Sequence, residues 1–166
     1  MRRSIPFLIL AIAAVAAMVG AMHPGGSGGG RASEGRVTRV VDGDTIHVLT
    51  GGHDERVRYI GVDTPESVKP GTPVQCFAKA ASAENERLVA GRLVKLVYDA
   101  ERRDRYGRLL AYVYTAGARP VFVNAELVRR GYARTLTIPP NVRFADRFAS
   151  LARAARAHGR GLWTRC

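Results

Sequence analysis

Cysteine and histidine are scarce in this chain, and the motifs of several common enzyme classes are missing. The 166 residues include two cysteines and four histidines, with no Cys-x-x-Cys pair and no Cys/His cluster of the kind that holds structural zinc. There is also no G-x-S-x-G nucleophile elbow and no Walker A phosphate loop. These absences disfavour a zinc-stabilised fold, acyl transfer and nucleoside-triphosphate hydrolysis.

Acidic residues are few compared with basic ones. Asp and Glu total 14 against 26 for Lys and Arg, which gives a formal net charge of +12 and a pI near 10.8. All but three of the basic residues are arginines, whose planar guanidinium can bind two phosphate oxygens at once. The composition favours a polyanionic partner, with nucleic acid the leading candidate, although an arginine-rich genome would produce the same bias.

A long apolar run occurs at the N-terminus. Two arginines precede an apolar stretch over residues 5–22, so residues 1–22 are predicted to be an export signal peptide that is cleaved. The stretch is about long enough to span a bilayer, which leaves a retained N-terminal anchor as the alternative. Residues 23–34 are predicted to be a Gly-rich linker, followed by one domain over 35–166. We therefore expect a secreted, periplasmic or extracellular protein, or a membrane-anchored one with the domain outside.

The two cysteines are Cys76 and Cys166. In an exported chain two thiols commonly pair, so we expect a disulfide between them, with two free thiols as the alternative. The bridge would close a loop of about 90 residues, for which the chain-entropy model gives a stabilisation of about 4 to 5 kcal/mol.

The order of predicted elements indicates the fold class. Strands are predicted over 36–41, 45–49, 56–62, 93–98 and 109–115, and helices over 75–90, 124–130 and 143–158. The order β-β-β-α-β-β-α-α is typical of an α+β fold that is mainly a β barrel: a five-stranded OB-fold barrel with three helices. A generic α+β domain is the alternative.

Three short motifs follow one another along the predicted domain. They are Asp-Gly-Asp-Thr at 42–45, Val-Arg-Tyr-Ile-Gly-Val-Asp-Thr-Pro-Glu at 57–66, and Asp-Arg-Tyr-Gly-Arg at 104–108. The first alone would indicate only a capped turn. Together, in this order, they resemble the staphylococcal nuclease (thermonuclease) family from about residue 36 to 163. The resemblance implies an endonuclease that hydrolyses phosphodiester bonds of DNA and RNA with low sequence specificity and leaves 3′-phosphate ends.

The resemblance also implies a calcium site. In the family, the residues matching Asp44 and Asp63 and the backbone carbonyl of the one matching Thr64 hold Ca²⁺. Oxygen ligands of this kind suit a hard cation. Asp42 lies two residues before Asp44, on the same side of an extended chain, so we expect it to act beside the cation without binding it directly.

The catalytic roles come from the same resemblance. Arg58 and Arg108 match the two arginines that bind the scissile phosphate, and guanidinium groups suit the charge that develops there during in-line attack by water. Glu66 matches the glutamate that activates or orients this water. Arg105 and Tyr106 match substrate-contact positions. Without the motifs, each of these arginines would be interpreted as a solvated surface residue.

Two features of the sequence complicate this hypothesis. Arg58 and Asp63 are an odd number of residues apart, so strict alternation would place them on opposite faces of a strand, and we expect a bulge or bend at Gly61. Residues 137–140 read Thr-Ile-Pro-Pro, where the family's type member has two tyrosines that pack on the nucleotide. Stacking is worth about 1 to 3 kcal/mol per base, so base binding is expected to differ.

The sequence thus predicts an exported, calcium-dependent nuclease that prefers single-stranded substrates and acts as a monomer with no obligate protein partner. The four histidines are dispersed along the sequence, which disfavours a paired-histidine mechanism. A catalytically silent OB-fold module that only binds nucleic acid is the main alternative, and a membrane-tethered nuclease is another.

Overall fold

The computed structural model describes residues 32–67, 71 and 73–166. The predicted signal segment and most of the predicted linker lie outside the described residues. Within the described part, the chain forms these strands and helices in order: β1 Ala32–Val40, β2 Thr45–Thr50, β3 His53–Tyr59, β4 Gly61–Asp63, α1 Ala78–Val89, β5 Leu93–Val97, β6 Leu109–Thr115, α2 Val123–Arg129, β7 Arg134–Leu136, α3 Ala145–Ala157 and α4 Leu162–Arg165.

Five strands close into a barrel in the order β1-β2-β3-β6-β5, with β5 pairing back onto β1. Four of the five pairings are antiparallel, and β3 and β6 are parallel. A parallel pair needs a long crossover, which α1 and β5 supply between these two strands. The predicted α+β class with a five-stranded OB-type barrel is confirmed.

The structure differs from the predicted order in three places. β1 begins at Ala32, inside the predicted linker, because its first residues pair with β5. The predicted strand over 56–62 is divided into β3 and β4, and β4 pairs with β7 in a separate two-stranded sheet. A fourth helix, α4, follows α3. Elements of three or four residues are too short to show a periodic hydrophobic pattern, so the sequence did not reveal them.

Gly61 is the residue at which the long predicted strand bends. Its φ of 78° lies in the left-handed region that disfavours residues with a Cβ. The buried ring of Phe148 from α3 occupies the position where a Cβ on Gly61 would be. The bend therefore depends on a glycine for both backbone conformation and close packing.

The barrel interior is filled by aliphatic side chains from every barrel strand, such as Val37, Ile46, Val57 and Leu96. A cluster of aromatic rings packs where helices α2 and α3 meet the barrel: Tyr112 lies on β6, Phe122 and Phe144 directly precede the two helices, and Phe148 lies on α3. Through Phe148, this cluster contacts Gly61 at the start of β4.

A disulfide joins Cys76 to Cys166, with a Cα–Cα distance of 5.9 Å and a sequence separation of 90. It connects the segment before α1 to the residue after α4. The neighbouring Phe77 stacks on Tyr132, with ring centroids 5.3 Å apart. In the part of the chain described here, no helix is long and apolar enough to cross a membrane.

Candidate active site

The three sequence motifs meet at one end of the barrel. The first forms the turn between β1 and β2, the second runs from the end of β3 through the bend at Gly61 to Glu66, and the third forms the turn before β6. Their side chains line a cleft of about 270 Å³, whose walls are Asp42, Asp44, Thr45, Arg56, Arg58, Asp63, Thr64, Pro65, Glu66 and Arg108. The structure thus brings together the three predicted catalytic residues, the three predicted metal ligands and Asp42.

Asp44 is the buried centre of the cleft, with 5% of its surface exposed. Its Oδ2 accepts hydrogen bonds from the backbone N–H and the hydroxyl of Thr64, both at 2.8 Å. Its Oδ1 accepts one from the Thr45 hydroxyl at 3.1 Å and lies 3.2 Å from Nε of Arg58. The four contacts match the roughly four lone-pair sites of a carboxylate. A cation at Asp44 therefore requires one of these donors to move away.

Arg58 is held in a fixed orientation across the cleft. Its Nη1 donates to the backbone carbonyls of Tyr59 and Val62 at 3.0 and 2.8 Å, and its Nη2 lies 3.1 Å from Oδ1 of Asp63. The bend at Gly61 lets Asp63 reach the side of the chain where Arg58 lies, as the sequence required. The guanidinium is thereby fixed between two carboxylates of the cleft.

Burial disfavours the charged forms of two carboxylates of the cleft. Burial raises the pKa of the Asp42 carboxyl to about 6, and the nearby charge of Asp44 adds to the rise. Loss of solvent contact raises the pKa of Asp63, against the opposing charge of Arg58. A cation placed beside such a carboxylate would stabilise its charged form.

Asp42 and Asn85 tie the first turn to the body of the protein. Oδ1 of Asp42 accepts a hydrogen bond from the backbone N–H of Asp44 at 3.0 Å. Asn85 on α1 donates to the backbone carbonyl of Asp42 at 2.8 Å and accepts a hydrogen bond from the Tyr59 hydroxyl, also at 2.8 Å. Asn85 and Tyr59 are almost fully buried. These contacts fix the turn that carries the central aspartate.

Glu66 reaches the cleft from the segment after β4. Its backbone N–H donates to the side-chain oxygen of Gln75 at 2.9 Å, and the backbone N–H of Gln75 donates to the carbonyl of Glu66 at the same distance. Gln75 directly precedes the disulfide-bonded Cys76. The position of Glu66 is thus connected to the disulfide through one residue.

Arg108 enters the cleft from the turn before β6. Its Nε donates to Oδ2 of Asp104 at 2.7 Å, while Oδ1 of Asp104 accepts hydrogen bonds from the backbone N–H groups of Tyr106 and Arg108 at 2.9 and 3.0 Å. Asp104 therefore shapes the turn and orients the guanidinium at once. The parallel pairing of β3 with β6 sets Arg58 opposite Leu110, and Arg108, two residues earlier, lines the same cleft as Arg58.

Arg105 and Tyr106 do not line the acidic cleft. They border an adjoining cavity of about 470 Å³ that shares Arg58 and Arg108 with it. Nη2 of Arg105 donates to the Tyr106 hydroxyl at 2.7 Å, and the Tyr106 side chain is exposed. The exposed aliphatic residues Leu136 and Ile138 also line this cavity, at or beside the positions where the family's type member has tyrosines.

The cleft offers oxygen ligands to a cation. Among the residues that the structure describes, no group of three or more His, Cys, Asp or Glu side chains is arranged to hold a metal ion. Ca²⁺, however, also accepts backbone carbonyls and waters as ligands. The carboxylates of Asp44 and Asp63, with the carbonyl of Thr64, are a donor set of the right chemistry. Burial, with a smaller contribution from Asp44, raises the pKa of both Asp42 and Asp63.

Three residues that the structure places at the site were not predicted from the sequence. Arg56 lines the cleft, Gln75 holds the backbone of Glu66, and Asp104 orients Arg108. Arg56 could have been found, because it lies two residues before Arg58 and strand alternation puts both on one face. Gln75 gave no signal, since its contact with Glu66 spans a segment without periodic structure.

Comparison with known proteins gives the same result as the motifs. The family model described as staphylococcal nuclease homologue matches residues 56–165. The chain is 43% identical over 129 residues to the thermonuclease of Staphylococcus intermedius, covering 78% of this chain and 75% of that protein. It is 41% identical to the thermonuclease of Staphylococcus hyicus, again over 78% of this chain and 75% of that protein. It is 40% identical to the endonuclease YncB of Bacillus subtilis strain 168, over 76% of this chain and 60% of that protein. The chain therefore belongs to the staphylococcal nuclease family.

Proposed function

We propose that this protein is an exported, calcium-dependent endonuclease that hydrolyses DNA and RNA with low sequence specificity and prefers unpaired strands. Membership of the family makes the chain a nuclease, a hydrolase acting on nucleic acid. The observation that carries the mechanistic part is the single cleft that contains Arg58, Arg108, Glu66 and two aspartates. A binding module without activity has no need of these groups in one place.

The two arginines bind the scissile phosphate. Attack by water adds negative charge to the phosphate oxygens, and donors that are already oriented stabilise this charge without reorganising. Arg58 is oriented by two backbone carbonyls and Arg108 by Asp104. Removal of one such preorganised donor typically costs about 10²- to 10³-fold in turnover.

Glu66 handles the attacking water. It lies in the same cleft as the arginines, and its backbone is held by Gln75. It orients the water or accepts its proton, a contribution of about 10²- to 10⁴-fold in other enzymes. The leaving oxygen departs on the opposite side of the phosphate, as in-line displacement requires.

Asp44, Asp63 and the carbonyl of Thr64 would hold Ca²⁺, with Asp42 beside it. When bound, the cation supplies positive charge next to the scissile phosphate and makes nearby water easier to deprotonate. The two aspartates would bind and position the cation, and without it Arg58 contacts both of them.

Export is supported by the chemistry of the chain. Residues 1–22 have the pattern of a signal peptide, and the Cys76–Cys166 disulfide suits an oxidising compartment. The mass of the mature protein tests the proposal, because retention of residues 1–22 would instead favour a tethered nuclease.

We propose a monomer that binds its substrate through its basic surface.

The test is hydrolysis of denatured DNA and of RNA by the full chain, with Ca²⁺ or with a chelator. We expect cleavage only with the cation and a turnover about 10² to 10⁴ times lower for Glu66→Gln, with binding and thermal unfolding unchanged. Glu86→Gln, at an exposed position of α1, is the matched control. Tight binding by the native protein without any hydrolysis in Ca²⁺ would support the silent module instead.

A further inference from the structure

We propose that Arg56 binds the phosphate next to the scissile one and so selects substrates with consecutive phosphodiesters. This inference rests on the proposed function, because it assigns a second phosphate position to the same cleft. Arg56 lies on β3 two residues before Arg58 and lines the cleft with it.

The environment of Arg56 differs from that of the other two arginines in the cleft. Arg58 pairs with Asp44 and Asp63, and Arg108 pairs with Asp104. Arg56 is exposed, and within residues 32–67, 71 and 73–166 its side chain has no ion pair or hydrogen bond. Its guanidinium is therefore available to an anion that enters the cleft.

The neighbouring strand does not occupy Arg56 either. His47 on β2 lies directly opposite Arg56. Its two ring nitrogens are engaged by Asp54 and Arg39, both at 2.8 Å. Asp54, two residues before Arg56 on β3, is thus already paired with His47 and with the Thr38 hydroxyl.

The spacing of the two arginines suits two phosphates rather than one. Residues i and i+2 of a strand point to the same face and are about 6.6 Å apart along it. Successive phosphates of a nucleic-acid strand are separated by a sugar, so an unpaired strand lying along β3 can present one phosphate to each guanidinium. Arg56 therefore adds nothing to the binding of a substrate that has a single phosphodiester.

The experiment compares Arg56→Ala with a matched control, Arg119→Ala, an exposed arginine in the turn between β6 and α2. The substrates are a ten-residue oligodeoxythymidylate and a dinucleoside monophosphate, which has one phosphodiester. We expect kcat/KM of Arg56→Ala to fall roughly 10-fold on the oligonucleotide through KM, and to change less than about twofold on the dinucleoside. Arg56→Lys should restore most of the loss, and the control should show none.

Equal losses on both substrates would overturn the proposal, since Arg56 would then act on the scissile phosphate. Unchanged kcat/KM on both would overturn it as well. Binding of the oligonucleotide is measured separately in a Glu66→Gln background, where Arg56→Ala should reduce the slope of log K against log salt by about 0.7, the value for one phosphate of a single strand.

If the native protein cleaves neither substrate, the proposed function is wrong. The binding measurement then still decides whether Arg56 contacts a phosphate. A lower salt slope than that of the Arg119→Ala control supports a phosphate contact, and an equal slope overturns it.

Discussion

Gly61→Ala tests whether one bend links the packing of the domain to the geometry of the cleft. The backbone at Gly61 has a φ of 78°, and an added Cβ would overlap the ring of Phe148. The substitution therefore disturbs both the backbone and the packing of α3. Because the bend sets the direction of Asp63, the variant should also move this carboxylate relative to Arg58.

The expected loss of stability has two parts. A left-handed conformation costs an L-residue about 1 to 2 kcal/mol, and overpacking of a well-filled core costs about 1 to 3 kcal/mol. The free energy of unfolding should thus fall by about 2 to 5 kcal/mol, out of a total of about 5 to 15 kcal/mol for an ordinary domain. Gly52 has a φ of 81°, and a Cβ added there would meet no atom within 4 Å. Gly52→Ala should therefore show only the cost of the left-handed backbone conformation.

Urea unfolding measures both variants through the shift of the midpoint at constant m-value. A double variant, Gly61→Ala with Phe148→Leu, makes room for the methyl group and should show a favourable coupling of about 1 to 3 kcal/mol. Hydrolysis per folded molecule should be lower in Gly61→Ala than in Gly52→Ala. Equal stability losses at the two glycines, with no coupling to Phe148, would refute the reasoning.

Three further predictions concern the supports of the cleft. Asp104→Ala should lower kcat at least about 10-fold, because Arg108 loses the carboxylate that orients it. It should also lower the free energy of unfolding by about 1 to 3 kcal/mol, because the backbone N–H groups of the turn lose their acceptor. Wild-type kinetics would contradict this prediction. Replacing Cys76 and Cys166 together with Ser should lower the unfolding free energy by up to about 4 to 5 kcal/mol in urea; a loss under about 1 kcal/mol would contradict a stabilising role. Gln75→Leu should reduce kcat with little change in KM, whereas Gln75→Glu, which keeps the accepting oxygen, should not.

The sequence was sufficient to predict the barrel and most of the residues of the cleft. The β-branched runs and the glycines between them determine where the long strands lie, and three ordered motifs identified seven residues that the structure places in one cleft. Even the bend at Gly61 was predictable, since Arg58 and Asp63 could meet only if the alternation was broken.

The remaining features depend on contacts distant in sequence. β4 and β7 are three-residue strands that exist because they pair with each other across about 70 residues, and no local pattern specifies this pairing. The contact of Gln75 with Glu66 and the placement of Arg105 and Tyr106 in the adjoining cavity likewise follow from tertiary packing. The missing tyrosines were visible in the sequence, but the aliphatic wall of Leu136 and Ile138 was not.

The parallel ladder between β3 and β6 has a consequence for when the protein becomes active. Arg58 and Arg108 come from segments far apart in the chain, and they line one cleft only when β3 and β6 have paired. Closure of the barrel and assembly of the arginine pair are thus one event, and a chain that is still unfolded carries the motifs without a cleft.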